Sequence, residues 1–83
     1  MSKFSITYLK REKEQASNEL ESDHQEFLKE MKRRQKVISS TPLNGEYLII
    51  IEEETKEKAL NIVYRDPYIQ TRYYQTFELT ENP

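Results

Sequence analysis

Cysteine does not occur among the 83 residues, which excludes disulfides and thiolate metal sites and leaves nothing that marks an oxidising compartment. Tryptophan is missing as well, and the only glycine is Gly45. One glycine cannot build the glycine-rich loops that cradle nucleotide phosphates. The longest apolar run, over 47–51, is far too short to cross a bilayer. Residues 1–10 hold no continuous apolar stretch, so they do not read as a signal peptide. These gaps lead to the expectation of a soluble, cytoplasmic protein with no membrane segment, no metal and no cofactor.

What is present is polar. Charged residues make up 34% of the chain and hydrophobic residues 35%. Leu, Ile, Val and Phe together supply nineteen positions. That is just above the level, about 20%, at which chains tend to stay disordered, so a thin core is expected. The formal net charge is −2. Residues 1–42 carry +2 and residues 43–83 carry −4, so neither half is basic enough to signal nucleic acid by charge alone.

From residue 9 to residue 40 there is neither glycine nor proline, and Glu, Lys, Arg, Gln, Leu and Met predominate. This predicts one long helix over 9–39, stopped by Thr41-Pro42. A second start signal lies inside it, where Asn18 is followed by Glu21, so a break near Ser17 is the alternative. Leu9, Ala16, Leu20, Phe27, Met31 and Ile38 follow one another at alternating spacings of seven and four. On a helix such a repeat makes a narrow, nearly straight stripe that suits a helix–helix seam.

The second half reads as strands. Residues 43–46 signal a turn around Gly45. Residues 47–51 form a β-rich run with apolar side chains on both faces. Residues 59–65 and 72–79 complete an antiparallel β-meander over 46–80, and 81–83 read as a frayed tail. Residues 1–8 alternate through Phe4, Ile6 and Tyr8 and could add a fourth strand. The predicted fold is therefore a single α+β domain over 1–83, with a long N-terminal helix on a three-stranded meander.

A helix of about 30 residues is about 45 Å long, whereas a strand of six or seven residues spans roughly 20–23 Å. The first half of such a helix would stand beyond the sheet. Its stripe, through Leu9, Ala16, Leu20, Phe27 and Met31, is therefore expected to form a protein interface, in a homodimer or with another chain.

Few residues carry chemistry. His24 is the only histidine, flanked by acids on a charged helix, and is read as a surface or interface residue. A metal site needs several converging ligands, and no second histidine exists. Glu52, Glu53, Glu54 and Glu57 read as a solvated connection. Lys32, Arg33, Arg34 and Lys36 complement the negative end of the helix dipole and could also meet phosphate or an acidic partner. Tyr73 and Tyr74 are adjacent, so on a strand one of them should face away from the helix and be free for an aromatic contact.

The functional expectation is a non-enzymatic protein-interaction module, dimeric, acting as a small regulator or inhibitor of a larger host or phage protein. The alternative is a small nucleic-acid binder that uses the basic helix end with exposed tyrosines. An enzyme with its site at a subunit interface is the third class, and no catalytic constellation in the sequence supports it.

Overall fold

The computed structural model describes residues 1–82. It contains four strands and three helices: β1 Ser2–Arg11, α1 Asn18–Arg33, β2 Val37–Leu43, β3 Glu46–Glu53, α2 Lys56–Val63, α3 Pro67–Gln70 and β4 Tyr74–Asn82. The strands form one sheet in the order β2-β3-β1-β4, and every neighbouring pair is antiparallel. With α3 a single extra turn, this is the split β-α-β arrangement known as ferredoxin-like. The fold by itself says nothing about function.

The expected long helix on a three-stranded meander is not what forms. Residues 9–11 extend β1 instead of starting a helix. Ser17 caps α1, its side chain accepting a hydrogen bond from the Leu20 amide. The internal start signal therefore prevails. The helix ends in a Schellman motif: Lys36 N–H donates to the Met31 carbonyl and Gln35 N–H to the Lys32 carbonyl. Gln35 takes the left-handed conformation there, at φ 61°. Beyond it, Val37, Ile38 and Thr41 are β-branched and continue as β2.

The predicted strand over 59–65 is also replaced. Thr55 caps α2 by accepting from the Lys58 amide. Ala59, Ile62 and Val63 then recur at helical spacing on the buried side. The run over 47–51 is a strand as expected, and Gly45 at φ 78° makes the tight turn into it. The N-terminal alternation yields not an optional strand but β1, which lies between β3 and β4. Residues 81 and 82 of the expected tail belong to β4, and Pro83 lies outside the described residues.

All helices cover one face. Phe4, Ile6 and Tyr8 of β1 oppose Ile51, Ile49 and Tyr47 of β3, and all six are buried. Leu28 and Met31 of α1 and Ala59, Ile62 and Val63 of α2 close over them. The residues between point to the other face, which no helix covers. That face carries Leu9 and Thr7 on β1 and Leu48 and Ile50 on β3, all half-buried, with Leu43 44% exposed on β2. No helix of the described residues is long and apolar enough to cross a membrane.

Candidate functional site

At the centre of the core three polar side chains meet. Tyr8 comes from the covered face of β1, His24 from the buried side of α1, and Asp66 from the residue that caps α3. Both His24 and Asp66 are fully buried, and so is Tyr8. The chain delivers Asp66 there because Pro67 suits the first helical position and an aspartate suits the cap before it. The Asp66 Oδ1 accepts from the Tyr68 amide at 2.9 Å and lies 2.7 Å from His24 Nδ1. The Tyr8 hydroxyl donates to Oδ2 at 2.6 Å.

A carboxylate only accepts, so Nδ1 is the donor toward Asp66. Three donors thus converge on one carboxylate out of contact with water. That arrangement supports a buried anion, which would otherwise be costly. Burial, and then the neighbouring Asp66, raises the Tyr8 hydroxyl far above the ordinary phenol range. The hydroxyl is therefore favoured in its protonated form, as the donor to Asp66.

The His24 ring is clamped by aromatics. It stacks on Tyr68 at 3.7 Å between centroids and 12° between planes, and the Tyr47 ring meets its edge at 5.1 Å. Burial pushes the Tyr68 hydroxyl up to about 12. One atom is left over: His24 Nε2 is buried without a hydrogen-bond partner, alone among the buried side-chain polar atoms described. An unpaired buried polar group costs about 1–3 kcal/mol. Such an atom needs a reason, either a structural compromise or a use.

The expected surface histidine is thus a core residue. Its signal was available: Leu20, His24, Phe27, Leu28 and Met31 share the helical spacing of one face. Asp66 was visible only as part of a turn, and its partners are remote in sequence. No group of three metal-ligating side chains occurs among the described residues.

The other predicted site residues are dispersed. Leu9 faces the open side of the sheet and Ala16 sits in the loop before α1. Leu20 and Phe27 are half-buried against the core, and Met31 lies within it. They share no stripe, because the helix meant to carry them is interrupted. The cations are largely engaged. Arg33 and Arg34 both bind the Glu30 carboxylate, at 2.6 and 2.9 Å. The Arg33 hydrogen bond is the main cause that holds the Glu30 carboxyl below its usual range. Lys32 donates to the Ser40 hydroxyl, and Lys36 pairs with the buried Glu53 at 3.1 Å. Burial raises the Glu53 carboxyl, but the Glu54 amide and Lys36 outweigh it and hold it below the usual range.

Tyr73 and Tyr74 do not face opposite sides. Tyr73 precedes the first residue of β4, so strand alternation does not reach it. Both rings pack beside Tyr68, at 5.2 and 5.6 Å.

No family model matches the chain, and no curated protein matches it either.

Proposed function

We propose that the chain is a protein-interaction module that works as a homodimer through the open face of its sheet. The observation that carries this reading is the pair Leu48 and Ile50 at the middle of that face, on a strand flanked on both sides. Ser5 and Thr7 oppose them on β1, and Ser39 and Thr41 oppose them on β2. The centre is therefore apolar and hydroxylic, without charge. Its charged residues, Lys3, Glu46, Glu52 and Glu78, lie around it. A surface with a neutral centre can meet its own copy about a two-fold axis without opposing like charges.

Four strands about 4.8 Å apart and about seven residues long give a face of roughly 440 Å². A standard interface takes about 800 Å² from each partner, so the dimer should be weak. Sedimentation at chain concentrations from about 10 µM to 1 mM tests this. Wild-type protein should shift from monomer to dimer across that range, and Ile50→Lys should remain monomeric with an unchanged circular dichroism spectrum. A wild-type monomer at 1 mM, or an unaffected variant, would refute the reading.

One observation favours a second reading, a proton-transfer site. A histidine held by a carboxylate at one nitrogen and bare at the other has the arrangement of a general base with its orienting group. In that reading His24 Nε2 moves the proton, Asp66 orients the ring and Tyr8 positions Asp66. Because His24 is the only histidine, the ultraviolet absorbance of carbethoxyhistidine formed with diethyl pyrocarbonate reads it alone, apart from any lysine or tyrosine acylation. Modification much faster than global unfolding supports a site that opens to solutes; modification at the unfolding-limited rate makes His24 a structural residue.

Base stacking finds less support. It needs aromatic rings on an exposed sheet surface, and the open face carries none among the described residues.

A further inference from the structure

The two edges of the sheet are built differently. On β2 the ladder is broken by a register shift between Val37 and Ser39, and Pro42 sits near its end. Both are ordinary means of blocking an edge. On β4 neither occurs. Its nine residues, Tyr74–Asn82, contain no proline and no lysine, and they hold a single register against β1 from Asn82 back to Tyr74. The far side of β4 is an unpaired row of backbone donors and acceptors.

A groove of about 520 Å³ runs beside the first half of this edge, between β4 and the segment from α2 to α3. Tyr64, Ile69, Tyr74 and Phe77 line it together with Arg72. Tyr64 is 55% exposed and meets Phe77 edge-on at 5.8 Å, so an aromatic side chain forms an open wall. Arg72 takes part in none of the ion pairs among the described residues. At the opposite end of the strand lies Glu81, and Glu78 stands at its middle; both are exposed.

We infer that β4 is a docking edge for an extended peptide that adds to the sheet antiparallel to it as a fifth strand. Main-chain hydrogen bonds hold such a peptide, and alternate side chains enter the neighbouring groove. Charge fixes its polarity. A peptide antiparallel to β4 begins beside Glu81, passes Glu78 at its centre and finishes toward Arg72, just ahead of the strand. The partner is therefore basic at its amino-terminal end, apolar at alternate central positions and acidic at its carboxy-terminal end. This inference rests on the reading of the chain as an interaction module but uses another surface.

The probe is a fluorescein-labelled peptide, Lys-Lys-Val-Thr-Val-Thr-Val-Glu-Glu, compared with its charge-swapped form, Glu-Glu-Val-Thr-Val-Thr-Val-Lys-Lys. Fluorescence anisotropy at low salt should favour the first by about tenfold, the worth of two or three exposed ion pairs. Arg72→Glu, at an exposed position, should abolish that preference without unfolding the chain. Amide resonances of residues 74–82 should move on binding, while those of Leu48 and Ile50 stay in place. Equal binding of both peptides, preference for the swapped one, or no binding by either would overturn the inference. Shifts confined to Leu48 and Ile50 would overturn it too, while leaving the open-face reading standing. Edge binding by a chain that never dimerises would have the reverse meaning.

Discussion

Replacing Tyr8 by phenylalanine removes a single oxygen from the centre of the core, and its effect can be worked out from the geometry. The lost bond is 2.6 Å long and ends on a carboxylate that is fully buried. Hydrogen bonds to charged groups contribute about 1.5–3 kcal/mol. Asp66 has no exposed surface, which places the cost toward the upper part of that range. For a domain of this size 1 kcal/mol moves Tm by about 4–8 °C, so a loss of about 2–3 kcal/mol in Tyr8→Phe should lower it by roughly 8–24 °C. Tyr68→Phe is the matched control. It removes the same atom from a ring in the same aromatic cluster, but the Tyr68 hydroxyl makes no hydrogen bond to Asp66; only its backbone amide does. That variant should lose less than about 1 kcal/mol. Urea unfolding followed by circular dichroism, at pH 7 and equal chain concentration, gives both numbers. Equal losses in the two variants, or a Tyr8→Phe loss below about 0.5 kcal/mol, would show that the phenol does not sustain the buried carboxylate.

Alkaline solution should weaken the fold. Burial raises the hydroxyls of Tyr8, Tyr47, Tyr68 and Tyr74 above the ordinary phenol value. Their contribution is complete below about pH 10, where an unfolded phenol also keeps its proton; above it the unfolded chain releases protons that the native chain retains. Stability should then fall by up to about 1.4 kcal/mol per pH unit for each such tyrosine, with the Tyr68 part ending near 12. Denaturant midpoints between pH 9 and pH 11 check this, and Tyr8→Phe should flatten the slope. At the end of α1, Gln35→Gly should stabilise by about 0.5–1 kcal/mol, since glycine bears the left-handed conformation more easily; chemical denaturation measures it. Ser17→Ala should cost about 1 kcal/mol by loss of the α1 cap, and an unchanged midpoint would remove that role.

Local signals carried much of the architecture. The apolar run over 47–51, the turn at Gly45 and the alternation of Phe4, Ile6 and Tyr8 each correspond to a real element. Errors arose where a pattern suited two structures. Ala59, Ile62 and Val63 fit a helix face, while the run 59–65 taken whole fits a strand; the Thr55 cap settles it. The stripe from Leu9 to Ile38 joined residues of a strand, a loop, a helix and a bulge, and its regularity had no structural cause. The absence of glycine and proline misled because this chain ends α1 with Gln35, not glycine, in the left-handed position. The cluster of Tyr8, His24 and Asp66 was out of reach for another reason. Its members come from three elements, and only the packing of α1 and α3 against each other and over β1 brings them together.

The order of the strands bears on how the chain is made. β1 is made before the other three strands, yet it lies inside the sheet, and both of its neighbours, β3 and β4, are synthesised after it. Ser5 bonds Asn82 across nearly the whole chain. A nascent copy can pair β1 with β3 once Glu53 is made, but the other side of β1 stays open until β4 follows, and long-range pairing of this kind is slow. Premature termination before Tyr74 would leave β1 as a bare border strand, a natural target for chaperones and proteases.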